Sequence, residues 1–174
     1  RLSIKYVGSN SKSSKLSFNK VHTKEIWLRN KLKTPNYLKL SDNISSKDIK
    51  EMFDEKFILK PCESGSSVGI KIFDSANFYS SSCTDILKKL SLNSANAHEY
   101  FIEEFITAPE YTAPIINNEV FPIIKIETKR EFYNYEAKYL DNDTIFSFPE
   151  FSEDVRENIN LICMKAFNSM GCSN

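Results

Sequence analysis

Lys60 closes the apolar run Phe57-Ile58-Leu59 and is followed by Pro61-Cys62-Glu63-Ser64-Gly65-Ser66-Ser67-Val68-Gly69. Three apolar residues read as a buried strand that surfaces at the lysine. Pro61 ends the ladder, because it has no N–H to donate and biases Lys60 toward extended geometry. The small residues then lead into Val68-Gly69-Ile70-Lys71-Ile72, an alternating second strand. A Gly-Ser-Ser turn with an ammonium at its mouth can aim several backbone N–H groups and hydroxyls at one anion. Taken alone, the plainer reading is a Gly/Ser hairpin beside a solvated lysine. A second lysine, Lys20, falls near the start of a helical pattern. The helix dipole disfavours a cation there by roughly 0.3 kcal/mol or more, so an anion nearby would account for it. Two adjacent carboxylates, Glu103 and Glu104, sit in the strand-like run Tyr100–Ile106 and must point to opposite faces, so one of them meets solvent.

The elements that would hold these groups follow from pattern. Leu2, Ile4 and Tyr6 alternate as a short strand, and the Ser-rich stretch 8–14 reads as a polar loop. Ser17 caps an expected helix to about Lys31, with Phe18, Val21, Leu28 and Leu32 on one face and Trp27 beside them. After the break at Thr34-Pro35, Tyr37–Leu40 is a strand, and Ser45-x-x-Asp48 opens a short helix as a capping box. Residues 76–92 read as a helix. Glu110 opens a further strand, and 119–127 is its antiparallel partner across an Asn117-Asn118 turn. The segment 131–150 is a long irregular loop, of a length that usually serves as a lid. Ser152 caps a last helix with Val155, Ile159, Ile162, Cys163, Ala166, Phe167 and Met170 on one stripe, ending at Gly171.

Composition narrows the function classes. At 174 residues with 41% hydrophobic, the chain can bury a sizeable core, as an ordinary soluble globular protein of one domain or two small ones. Its 23 basic residues balance 23 acidic ones, which argues against a nucleic-acid footprint or an anionic membrane partner. No apolar run is long enough to span a bilayer. Cys62, Cys83, Cys163 and Cys172 form no C-x-x-C pair, so reduced thiols are expected and a metal site is not. His22 and His98 read as surface or packing residues. Arg1 stands where Met would be, and Gly171-Cys172-Ser173-Asn174 follows directly on a helical pattern; both ends read as cut from something longer.

Four motifs in order carry a resemblance. They are Tyr6-Val7-Gly8-Ser9 with Asn19-Lys20; Lys60-Pro61-x-x-x-Gly65-Ser66-Ser67-x-Gly69; Glu103-x-x-Ile106-x-x-Pro109-Glu110; and Phe132-Tyr133-x-Tyr135-Glu136-Ala137-Lys138-Tyr139. Together they resemble the D-alanine–D-alanine ligases of the ATP-grasp superfamily, over nearly the whole chain. The resemblance implies an α+β ATP-grasp fold of two subdomains clasping ATP, the second of them incomplete. Residues 1–19 would be the end of an N-terminal domain and a linker, 20–106 the central subdomain, and 107–174 the first part of the C-terminal one, with 131–150 as lid. It implies a cytoplasmic enzyme of peptidoglycan precursor synthesis, dimeric in its full-length form, that uses ATP and Mg²⁺ to join two D-alanines through an acyl phosphate. A tetranegative nucleotide requires cations and N–H donors already in place.

By that resemblance Lys20 and Lys60 hold ATP phosphates, and Gly65, Ser66 and Ser67 close over them as a flap. Glu103 accepts from the adenine amino group, backbone at Phe105 and Ile106 reads the ring edge, and Glu110 binds the ribose hydroxyls. Lys138 reaches the γ-phosphate as the lid closes and sheds water. Tyr139 bonds Ser66 beside the second amino acid, which favours a dipeptide over a D-lactate product, and Tyr133 remains a half-buried loop anchor. The family's metal-binding acidic residues and an arginine that steadies the acyl phosphate would follow Asn174, so the chain alone is expected to turn over little.

The chain departs from the family pattern at Asn19 and Asn134, where Asp is usual, at Ser64, where Glu is usual, and at Ala108, where Gly is usual. Two alternatives therefore stand beside the ligase: another ATP-grasp carboxylate–amine ligase, or a degenerate nucleotide-binding remnant without catalysis.

Overall fold

The computed structural model describes residues 4, 6–41, 43–78, 82–93 and 95–173. In chain order the elements are α1 (Ser11–Phe18), α2 (Lys20–Arg29), β1 (Tyr37–Lys39), α3 (Ser46–Met52), β2 (Lys56–Pro61), β3 (Lys71–Asp74), α4 (Cys83–Lys89), β4 (Tyr100–Glu104), β5 (Glu110–Thr112), β6 (Ile115–Ile116), β7 (Glu119–Val120), β8 (Ile124–Glu127), α5 (Tyr135–Tyr139), β9 (Ile145–Ser147) and α6 (Glu153–Ser169). They form two compact units: a middle unit, Thr34–Ala108, and a composite unit of Arg1–Lys33 with Pro109–Asn174. The chain passes between the units at 33/34 and at 108/109.

The middle unit is a four-stranded antiparallel sheet in the order β1-β4-β2-β3. Register decides its two faces. Leu59 lies opposite Ile102, and both join a core with Phe53, Phe57, Phe78 and Ile86. The ring of Phe57 stacks on Phe73 at 5.6 Å and meets Phe78 edge-on at 5.1 Å, an arrangement that adds to its area burial. α3 starts on the capping box anticipated from sequence: Asp48 N–H donates to Ser45 Oγ at 3.2 Å, and Ser45 N–H donates to Asp48 Oδ2 at 2.8 Å. The helix expected over 76–92 is shorter. A 3₁₀ turn at Ser75–Phe78 precedes it, and α4 begins at Cys83 with Ser82 Oγ accepting from Asp85 N–H. Within the expected strand 68–72, only Lys71 and Ile72 belong to β3.

In the composite unit, β5-β8-β9 form an antiparallel sheet, and β6-β7 is the hairpin expected at Asn117-Asn118. Both asparagines have positive φ (52° and 60°), as a two-residue primed turn demands. Four expectations are corrected. Residues 11–18 are helical, not a loop, because Asn10 caps them by accepting from Lys12 and Ser13 N–H at 3.0 Å. Ser17 therefore lies inside α1, and Asn19 caps α2, accepting from His22 N–H at 3.0 Å. Ile4 and Tyr6 are not in a strand; Leu2 lies outside the described residues. The segment 131–150 holds α5 and β9. α6 begins and ends where expected, with Gly171 at φ +64°, but Ser152 stands at its start without a side-chain capping hydrogen bond and none of its residues is fully buried; Val155 and Ile162 keep 45% and 48% of their surface. Among the described residues no helix is long and apolar enough to cross a membrane.

Candidate active site

β2 and β4 set the middle unit's share of the expected residues. Ile58 pairs with Glu103 and Lys60 with Phe101, so Ile58, Lys60, Phe101 and Glu103 share the face opposite the phenylalanine core. On that face the Lys60 ammonium donates to Glu103 Oε1 in a close ion pair. The Glu103 side chain keeps only 7% of its surface and that of Lys60 keeps 25%. Glu104, on the other face, is less buried and its Oε2 accepts from Asn36 N–H at 3.5 Å. Glu103 is thus the more buried of the two carboxylates. β4 ends at Glu104, earlier than expected; Phe105 follows it with its N–H donated to Lys56 O at 3.3 Å, and Ile106 is exposed. With that N–H engaged, the Phe105 carbonyl is what its backbone offers a ligand.

The turn between β2 and β3 is tightly specified. Val68 N–H donates to Gly65 O at 3.1 Å, and Ser64 Oγ donates to Val68 O at 3.1 Å. Ser64, where the family pattern has Glu, therefore closes the turn by a hydroxyl. Ser66 and Ser67 both adopt left-handed backbone (φ 55° and 59°), which is why Val68 and Gly69 continue as turn rather than strand. Such a conformation costs a residue with a Cβ about 1 kcal/mol or more, and strained backbone of this kind is concentrated at ligand clamps. Gly69 is required: its φ is +76°, and a Cβ there would lie 2.9 Å from Pro61 Cγ.

The composite unit carries Lys20, Glu110, Lys138 and Tyr139. Lys20 is the first residue of α2, directly after the Asn19 cap, and Glu110 is the exposed first residue of β5. Lys138 and Tyr139 ride on α5, which starts where the Asn134 side chain accepts from Ala137 N–H at 2.9 Å. Lys138 Nζ stands 5.1 Å from the centre of the Tyr133 ring, and the exposed Tyr139 packs on Tyr135 at 4.9 Å. Asn134, off the family pattern, still performs the capping that an Asp would.

Sequence reading missed what holds this segment's base. Arg130 grips Asp141 through both Nε and Nη2, and Lys129 pairs with Asp143 at 2.8 Å. Thr144 Oγ1 donates to Ala137 O at 2.6 Å. The Arg130 hydrogen bond holds the Asp141 carboxyl below its usual range. Opposite charges eleven and fourteen residues apart across a short helix were the available signal. A cleft of about 620 Å³ in the same unit is lined by Phe121, Phe148, Phe151 and Arg156 among others, and contains none of the expected site residues. Among the described residues no cluster of three or more His, Cys, Asp or Glu could hold a metal ion. His22 and His98 are exposed.

The family described as D-ala D-ala ligase C-terminus matches the chain over residues 28–174. The chain belongs to that family. The D-alanine–D-alanine ligase B of Xanthomonas campestris is 32% identical over 174 residues, covering 98% of this chain and 52% of that protein. A crystal structure of the D-alanine–D-alanine ligase from Bacillus anthracis superposes with a TM-score of 0.74 at 28% identity, covering 99% of this chain and 55% of the other. The same enzyme complexed with ATP superposes with a TM-score of 0.74 at 23% identity, covering 99% and 53%. The chain thus has the mixed α and β ATP-grasp fold of these ligases and spans about half the length of the curated relatives it matches.

Proposed function

We propose that this chain is the nucleotide-binding part of an ATP-dependent D-alanine–D-alanine ligase. The observation that carries this reading is the side-by-side placement of Lys60 and Glu103 on one sheet face, on the strand that feeds the left-handed Ser66-Ser67 turn. A cation for phosphate and a carboxylate for a base amino group are what an ATP site needs. The similar proteins are D-alanine–D-alanine ligases by name, which supports D-alanine as the other substrate.

In this reading Lys60 and Lys20 neutralise phosphate oxygens, while Gly65, Ser66 and Ser67 present N–H groups and hydroxyls to them. Glu103 accepts from the base amino group, Phe105 and Ile106 offer backbone to the ring edge, and Glu110 accepts from the ribose hydroxyls. Lys138 supplies charge to the γ-phosphate. A D-alanine carboxylate oxygen attacks the γ-phosphorus and ADP leaves. The amine of the second D-alanine then attacks the acyl carbon, phosphate leaves, and the amine gives up its proton. Tyr139 and Ser66 serve the second amino acid. Mg²⁺, which the family implies, would neutralise phosphate oxygens during transfer; we place its carboxylate ligands outside this chain. A cytoplasmic homodimer is the matching state of the whole enzyme.

The test is D-alanine-dependent release of ADP and phosphate by the protein carrying this chain, compared with its Lys138→Met variant. The reading predicts release that requires D-alanine and falls by a factor of at least about 100 in the variant, the scale of one charge-stabilising group. Release that is indifferent to D-alanine, with another amino acid preferred, points to a different carboxylate–amine ligase. Absence of both ATP binding and release refutes the reading.

A further inference from the structure

Lys60 and Glu103 are 43 residues apart, brought together as diagonal neighbours across β2 and β4. The carboxylate is nearly buried, whereas the ammonium still reaches solvent. A carboxylate so desolvated depends on its counter-ion for its orientation, because a desolvated charge that loses that counter-ion moves toward water. Ionised, it can only accept hydrogen bonds. We propose that Lys60 is a positioning residue for Glu103: it holds that carboxylate as a fixed acceptor edge, so that the site takes a purine with an amino group at C6 and disfavours a 6-oxo purine. This rests on the proposed nucleotide reading of Glu103 and adds base selection to the lysine that faces phosphate. An amino group donates into the carboxylate, whereas a 6-oxo group sets one acceptor against another, and a site with a polar group left unpaired rejects the wrong ligand.

Adenosine and inosine separate the two roles of Lys60, because neither carries a phosphate. Calorimetric titration of the protein carrying this chain with both nucleosides, and with ATP, is done for the wild type, Lys60→Gln, Glu103→Gln, the double variant and Lys60→Arg. The wild type is expected to prefer adenosine by about tenfold or more, the size of one charge-assisted hydrogen bond. Lys60→Gln narrows that preference to about twofold, adds no further loss in the Glu103→Gln background, and is largely rescued by Lys60→Arg. Should the neutral variant fail to fold, Lys60→Arg must keep the preference that Glu103→Gln loses. The inference is overturned if Lys60→Gln weakens both nucleosides equally or neither, if its effect is the same with and without Glu103, or if Lys60→Arg discriminates no better than Glu103→Gln. A wild-type chain that binds neither ATP nor adenosine refutes the nucleotide reading itself, a different result from binding without Lys60-dependent selection.

Discussion

Gly69→Ala tests whether the turn between β2 and β3 is as tightly built as its geometry says. The residue has φ +76°, where a Cβ costs about 1–2 kcal/mol. The added methyl would also lie 2.9 Å from Pro61 Cγ, well inside the roughly 3.5–4.0 Å at which carbon atoms attract. Pro61 has little room to retreat, because it is the last paired residue of β2, opposite Tyr100. Relieving that overlap costs about 1 kcal/mol or more. Against these stands the lower entropy of the unfolded alanine chain, about 0.4–1 kcal/mol. The net expectation is a loss of about 2 kcal/mol, read as a lower urea midpoint in far-UV circular dichroism.

Gly65→Ala is the internal control. It lies in the same turn, but a Cβ there meets nothing within 4 Å and its φ is not positive. That change is expected to stay within about 0.5 kcal/mol of the wild type. Because Pro61 adjoins Lys60, Gly69→Ala should also weaken ATP binding more than Gly65→Ala does. Equal midpoints for the two variants, or a Gly69→Ala midpoint unchanged from the wild type, would show that the turn relaxes freely and that the steric reasoning is wrong.

The remaining predictions concern the framework around the site. Phe57→Ala removes a fully buried ring that touches Phe53, Phe73 and Phe78, and urea unfolding should register a loss of about 3–5 kcal/mol; less than 1 would mean the core collapses around the gap. Ser45→Ala deletes the capping-box hydroxyl of α3 and should cost about 1 kcal/mol by the same assay, with Ser45→Thr nearly neutral. Asp141 should titrate by NMR below 3.8, moving back up in Arg130→Gln, since the Arg130 hydrogen bond is the main cause of its lowered pKa. The sign follows from that direction: the pair contributes above the unfolded carboxylate range, near pH 4, and its contribution fades as pH falls through the lower folded value. An Asp141 midpoint that does not respond to Arg130→Gln would remove this pair from the base of the 131–150 segment.

Local chemistry was legible wherever a short stretch decides its own structure. The Ser45 capping box, the Asn117-Asn118 turn and the apolar run Phe57–Leu59 each specify their element within a few residues, and the structure has all three. The misreadings fall where a distant partner takes part. The Ser-rich stretch that looks like loop is helical through a local cap at Asn10, and its hold on Ser13 is distant: the buried Ser13 hydroxyl donates to Gly171 O, 158 residues away. Residues 131–150 look irregular because the pairs that organise them, Arg130 with Asp141 and Lys129 with Asp143, obey no helical or strand period. The site divides in the same way. Residue type and motif point to Lys60 and Glu103 one at a time, but nothing local says that they meet; that follows only from the β2–β4 register. A one-residue slip in that pairing would turn Glu103 into the core and put Ile102 beside Lys60. The register is held by what lies on the other face, where Phe57, Leu59 and Ile102 pack into the core. The apolar side of the sheet therefore fixes which charges meet on the polar side, and a core substitution that loosens it should disturb base selection before it unfolds the unit.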